Sequence, residues 1–133
     1  MKRLSGLKLL EEREGEGAPA NKGDRVLFHM RLFLNKGDEV RLNETQAKHL
    51  PKEMIRVVDG VTLIDRTIVL GRREAMAGVE HALMRMKVGG YRKVRVSPHL
   101  AYRDKGIPDL IPPETVLIVE LWLQRISPND GAR

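Results

Sequence analysis

One stretch of this 133-residue chain carries a clear helical stripe, and it limits the fold more than any other feature. In REAMAGVEHALMRM (73–86) apolar residues fall at 75, 79, 82, 83 and 86, the i, i+4, i+7, i+8 spacing of an amphipathic helix. Gly89-Gly90 ends it. Most of the remaining patterned sequence reads as strand. A single helix cannot cover both faces of a sheet, so the economical solution is an antiparallel sheet curling around that helix. The expectation is an α+β fold, a strongly curved β-sheet wrapped around one short α-helix.

The strand signals are strict alternations. RVLFHMRLFL (25–34) places Val26, Phe28, Met30, Leu32 and Leu34 on one face, and NKGD (35–38) turns the chain back. VTLIDRTIVL (61–70), YRKVRV (91–96) and TVLIVELWLQRI (115–126) read the same way, the last with Leu117, Val119, Leu121 and Leu123 together. LKLLEERE (7–14) suits a short strand or a helix. LNETQAKHLPKEMIRVVDG (42–60) stays undecided: Asn43 could cap a helix through Leu50, which Pro51 would interrupt. The count is four or five strands and one helix in a single domain, 1–133.

Bulk properties narrow the function classes. There is no cysteine, so no disulfide or thiolate metal site can form. His29, His49, His81 and His99 are scattered without metal-ligand spacing, and Gly71, Gly89 and Gly90 sit at turns, not in a phosphate-cradling loop. Neither a cofactor nor a metal is expected. No apolar run reaches the ~20 residues of a membrane span, and the N-terminal segment lacks the apolar core of a signal peptide. The expected setting is cytoplasmic, with no membrane partner. The net charge is +6, but basic residues are interleaved with acids. Only YRKVR (91–95) and GRR (71–73) are locally basic, and neither carries the paired aromatics of a base-stacking platform. A solvated basic surface is favoured over nucleic-acid binding.

SPHLAYRDKGIPDLIPPE (97–114) spends eighteen residues between two strands, where a handful normally suffices. The words AGVEHALMRMKVGGYRKV, PHLAY, GIP, IPPE and the terminal strand, all within 77–123, resemble the C-terminal half of the FKBP family of peptidyl-prolyl isomerases. GEGAPANKGDRV (15–26) resembles that family's first loop, and VLFHMRLFLNKGDEV (26–40) its first hairpin. The likeness covers about Leu7 to Ile126, with 42–60 extended relative to minimal members.

The resemblance implies rotation about the peptide bond before proline. Resonance gives that bond a barrier of roughly 18–20 kcal/mol, and it isomerises unaided in tens to hundreds of seconds. No bond is made or broken, so catalysis must come from holding the twisted amide better than the planar one. By resemblance, Tyr102 donates its hydroxyl to a substrate carbonyl, and Leu110 and Ile111 overhang the pocket from the loop tip. Backbone groups of Glu74, Ala75 and Met76 would bond an extended ligand. Pocket positions that are aromatic or acidic in the family hold Met30, Val40, Arg41, Val79 and Val119 here. Val79 stands for a tryptophan floor, and Trp122 cannot replace it, because it alternates away from the face of Leu121 and Leu123.

Two readings follow. The first is an isomerase of Xaa-Pro bonds in peptides and unfolded chains, active in protein folding, weak toward simple peptides, with weakened affinity for the family's macrolide ligands. The second is a non-catalytic, chaperone-like binding module that uses the pocket rim, the 97–114 loop and the 42–60 segment.

Overall fold

The computed structural model describes residues 5–40, 55–58, 61–100 and 114–128, with 40, 55–58 and 61–64 as backbone. Its elements are β1 (Leu7–Arg13), β2 (Arg25–Leu34), β3 (Glu39–Val40), β4 (Ile55–Val58), β5 (Val61–Val69), α1 (Ala77–Leu83), β6 (Tyr91–Val96) and β7 (Leu117–Ser127). Among the described residues the seven strands form one sheet in the order β1-β6-β7-β2-β5-β4, with β3 beside β2. Every pairing is antiparallel. The five long strands are the expected ones, and the undecided 7–14 segment is strand. β3 and β4 are short additions. The helix considered for Asn43–Leu50 lies outside the described residues.

The core sits between the sheet and α1, and alternation explains its membership. Val26 and Phe28 of β2 are fully buried, while Met30, Leu32 and Leu34 pack against the cluster from its margin. Leu117, Val119, Leu121 and Leu123 of β7 are all buried on the same face. Each such side chain contributes roughly 1.5–3 kcal/mol by leaving water. A bulge keeps this face intact. Leu27 faces Arg125 but Phe28 faces Leu123, so Gln124 is an extra residue and Ile126 still meets Val26.

The helix is shorter than its stripe. Ala75 and Met76 precede it and Met86 follows it, yet all three belong to the core or pack on it. At its start, the Met76 carbonyl accepts the N–H groups of Val79 and Glu80. At its end, Met84 is extended and Arg85 is left-handed at φ 67°. The chain then pairs with 16–20: Ala20 exchanges hydrogen bonds with Arg85 and Met86, and the Glu16 N–H donates to Val88. Arg92, 5% exposed, closes the end by donating to the carbonyls of Ala82 (2.8 Å) and Met84 (2.7 Å) and to Glu12 (2.6 Å). Gly78 lets α1 approach β6, since a Cβ there would lie 2.5 Å from a Val96 methyl.

The opposite face of the sheet is polar and aromatic. Trp122 stacks on His29 at 4.5 Å between ring centres and leans on Tyr91 at 5.1 Å. Gln124 links His29 to Asp65, donating to the Asp65 carboxylate at 3.0 Å. The Tyr91 hydroxyl donates to Glu120 at 2.5 Å. Burial, reinforced by that hydrogen bond to a carboxylate, pushes the Tyr91 phenol well above its ordinary range. Trp122 is thus on the face away from Leu121 and Leu123, as alternation requires.

Candidate active site

The segment between β5 and α1 is shaped by two carboxylates. After Val69 the chain turns through Gly71 at φ 93° and Arg73 at φ 59°. Glu74 accepts the Val69 N–H at 2.8 Å, and Glu80, 7% exposed, accepts the Gly71 N–H at 2.7 Å. These bonds satisfy donors that the sharp turn removes from the ladder. On the β2 side, the Leu70 N–H donates to Asp24 and the Gly23 N–H to Leu70.

The turn delivers Glu74, Ala75 and Met76 to the helix, bending at Ala75 and leaving Met76 extended at φ −58° and ψ 148°. Among the described residues, no hydrogen bond occupies the Ala75 N–H, the Ala75 carbonyl or the Met76 N–H. A row of open backbone groups beside an apolar cluster is the arrangement that pairs with an extended peptide.

The remaining expected residues divide by location. Val79 and Val119 are fully buried in the core cluster, and Met30, Ala75 and Met76 pack against it. Val119 faces Leu32 across β7 and β2, and Met30 faces Leu121 one rung further along. Val40 lies in β3 opposite Leu32. The fold therefore brings Met30, Ala75, Met76, Val79 and Val119 to one apolar cluster, with aliphatic groups where the resemblance leads one to expect aromatic ones. Tyr102, Arg41, Leu110 and Ile111 lie outside the described residues.

One residue of this region escaped the sequence reading. Arg66 faces Phe28 across β5 and β2, so its side chain leaves the sheet on the core side. It is half-buried, and its guanidinium comes within 3.5 Å of the Glu74 carbonyl oxygen. The signal was present: in VTLIDRTIVL, Arg66 shares the parity of Ile64, Ile68 and Leu70 and interrupts that apolar run.

An all-antiparallel sheet over one helix, with backbone groups at the helix entry that are unoccupied among the described residues, is a fold suited to binding peptide backbone. Comparison with known proteins identifies it. The pattern of the FKBP-type peptidyl-prolyl cis-trans isomerases matches residues 16–124, and the chain belongs to that family. It is 26% identical to FK506-binding protein 1A of Neurospora crassa over 93% of this chain and 91% of that protein. It is also 27% identical to FK506-binding protein 4 of Aspergillus fumigatus, over 96% of this chain but only 22% of that protein's length. A 58-residue stretch is 40% identical to the 46 kDa FK506-binding nuclear protein of Spodoptera frugiperda, covering 44% of this chain and 14% of that protein. The chain spans most of the first relative and less than a quarter of the other two. Its class of activity is isomerisation of peptidyl-prolyl bonds.

Proposed function

We propose that the chain catalyses cis–trans isomerisation of Xaa-Pro bonds in peptides and unfolded proteins, slowly for short peptides, by binding the twisted amide in an aliphatic pocket with Tyr102 as hydrogen-bond donor. The observation that carries this reading is that, among the described residues, the Ala75 N–H and carbonyl and the Met76 N–H are unoccupied beside the cluster containing Val79 and Val119. An extended substrate would pair with that backbone and set its prolyl ring against the aliphatic side chains. Leu110 and Ile111 would close over it, and Val40 and Arg41 would border it. The planar amide has the larger charge separation and gains more from water than the twisted one. A dry surface therefore lowers the barrier without any nucleophile or metal.

Slowness follows from the same residues. Val79 covers less of a prolyl ring than an indole would, and each missing methylene in such a pocket costs about 1–3 kcal/mol of discrimination. Macrolide ligands would bind weakly for the same reason. The rival reading, a non-catalytic chaperone-like module, gains from the complete burial of Val79, which leaves little apolar floor open to a ring. A cytoplasmic role in protein folding fits the chain's lack of cysteine; among the described residues no helix is long and apolar enough to cross a membrane.

Exchange spectroscopy on short Xaa-Pro peptides separates the readings, comparing wild type with Tyr102→Phe and Val79→Trp. The isomerase reading expects measurable acceleration by wild type and at least a severalfold loss in Tyr102→Phe. It also expects a gain in Val79→Trp wherever the larger side chain is accommodated. Peptide binding without acceleration would establish the rival.

A further inference from the structure

We infer that Arg66 makes this site selective for peptides with a carboxylate side chain next to the proline. This deepens the proposed isomerase reading and rests on it, because it assumes that substrate lies along Glu74–Met76.

A cation on the core side of β5 is the unusual observation. Its cross-strand neighbour Phe28 is fully buried and Ile68, two residues on, is nearly so. Placed among them, a guanidinium must send its head to the margin of the cluster, and it does so at the Glu74 carbonyl, the first group of the open segment. Among the described residues, the contact with the Glu74 carbonyl at 3.5 Å is the one hydrogen bond of the Arg66 side chain, which carries five N–H donors. Arg66 has no carboxylate partner among the described residues.

The neighbourhood adds to the sign. Lys22 lies against Gly71, and Arg72 and Arg73 are exposed on the turn that follows. None of these three has a carboxylate partner among the described residues either. Among the nearby acids of the described residues, Glu74 and Glu80 each commit a carboxylate oxygen to a backbone N–H of the β5 end, and Asp24 accepts the Asn21 N–H. Among the described residues, Lys22, Arg66, Arg72 and Arg73 give a positive sign to the margin where an extended peptide would enter. A planar guanidinium at the edge of a partly dry surface suits a carboxylate far better than an ammonium group.

The test uses capped peptides with Glu, Leu or Lys immediately before or after proline. Both the catalysed exchange rate and the dissociation constant are measured at low salt and at high salt. Wild type is expected to prefer Glu to Lys by about fivefold at one of the two positions, the preference shrinking with salt. Arg66→Leu should bring that ratio close to one and Arg66→Glu should invert it, whereas Arg72→Gln with Arg73→Gln should keep more than half of it. Equal handling of Glu and Lys by wild type, or an unchanged ratio in Arg66→Leu, would overturn the inference. If no peptide is turned over, the isomerase reading falls, and the dissociation constants alone decide the selectivity. Absence of binding by every peptide would overturn both.

Discussion

Gly78 and Tyr91 show how much of this molecule is decided by single side chains meeting across elements. In an isolated helix, alanine is favoured over glycine by about 1 kcal/mol. Here an added Cβ would press on Val96, whose branched side chain has little rotameric freedom. Gly78→Ala is therefore expected to destabilise by about 1–3 kcal/mol, read as a lower denaturation midpoint at unchanged slope. Tyr91 makes a pH-dependent contribution. Its phenol is held above the ordinary value of 10.0 by burial and by Glu120. From that value upward the unfolded chain loses the proton first, so folded molecules bind more protons and stability falls as pH rises. The contribution is complete below the ordinary value and lost above it. Stability curves from neutral to strongly alkaline pH should thus fall less steeply for Tyr91→Phe than for wild type. Neither role was visible in the sequence, because Gly78–Val96 and Tyr91–Glu120 are neighbours only through helix docking and strand register.

At the scale of elements, periodicity carried most of the fold. Alternation in 25–34, 91–96 and 115–126 identified strands and the faces they bury, since a half-buried strand has no other way to separate its two sides. The helix was legible as a stripe but not in extent. Ala75 and Met86 fit a helical period while lying outside α1, because both ends of the segment still point into the core in non-helical conformations. α1 stops where Met84 becomes extended and Arg85 left-handed, and Arg92 takes up two carbonyls at that end. Arg92→Met should leave those carbonyls and Glu12 without their donor and cost roughly 3 kcal/mol, with the helix end and β1 the first to lose amide protection in hydrogen exchange. Equal protection in both proteins would show that the turn holds without it. Of the candidate site, alternation and the helical stripe made legible the apolar cluster that Met30, Ala75, Met76, Val79 and Val119 share. Arg66 was overlooked although its parity marked it. β4, inside the undecided 42–60 stretch, was hidden by a segment with no clear period.

As a whole the molecule is a sheet with two different faces. One packs aliphatic side chains on α1 and presents Ala75 and the Met76 N–H, unoccupied among the described residues. The other carries Trp122, His29 and Tyr91 within a polar network, so the single tryptophan of the chain belongs to the sheet's outer face and takes no part in the candidate pocket. A member of the FKBP-type isomerase family with an aliphatic cluster at its site should retain the chemistry while binding prolyl rings less tightly. Because the reaction needs only differential binding of a twisted amide, the proposed function expects loss of aromatic walls to lower its rate without abolishing it. The most direct measurement is exchange spectroscopy on a capped Xaa-Leu-Pro-Phe peptide across a series of protein concentrations. The cis–trans exchange rate should rise in proportion to wild-type protein and return close to the uncatalysed value in Tyr102→Phe. An exchange rate that stays at the buffer value throughout the wild-type series, while the peptide's resonances report binding, would contradict the account.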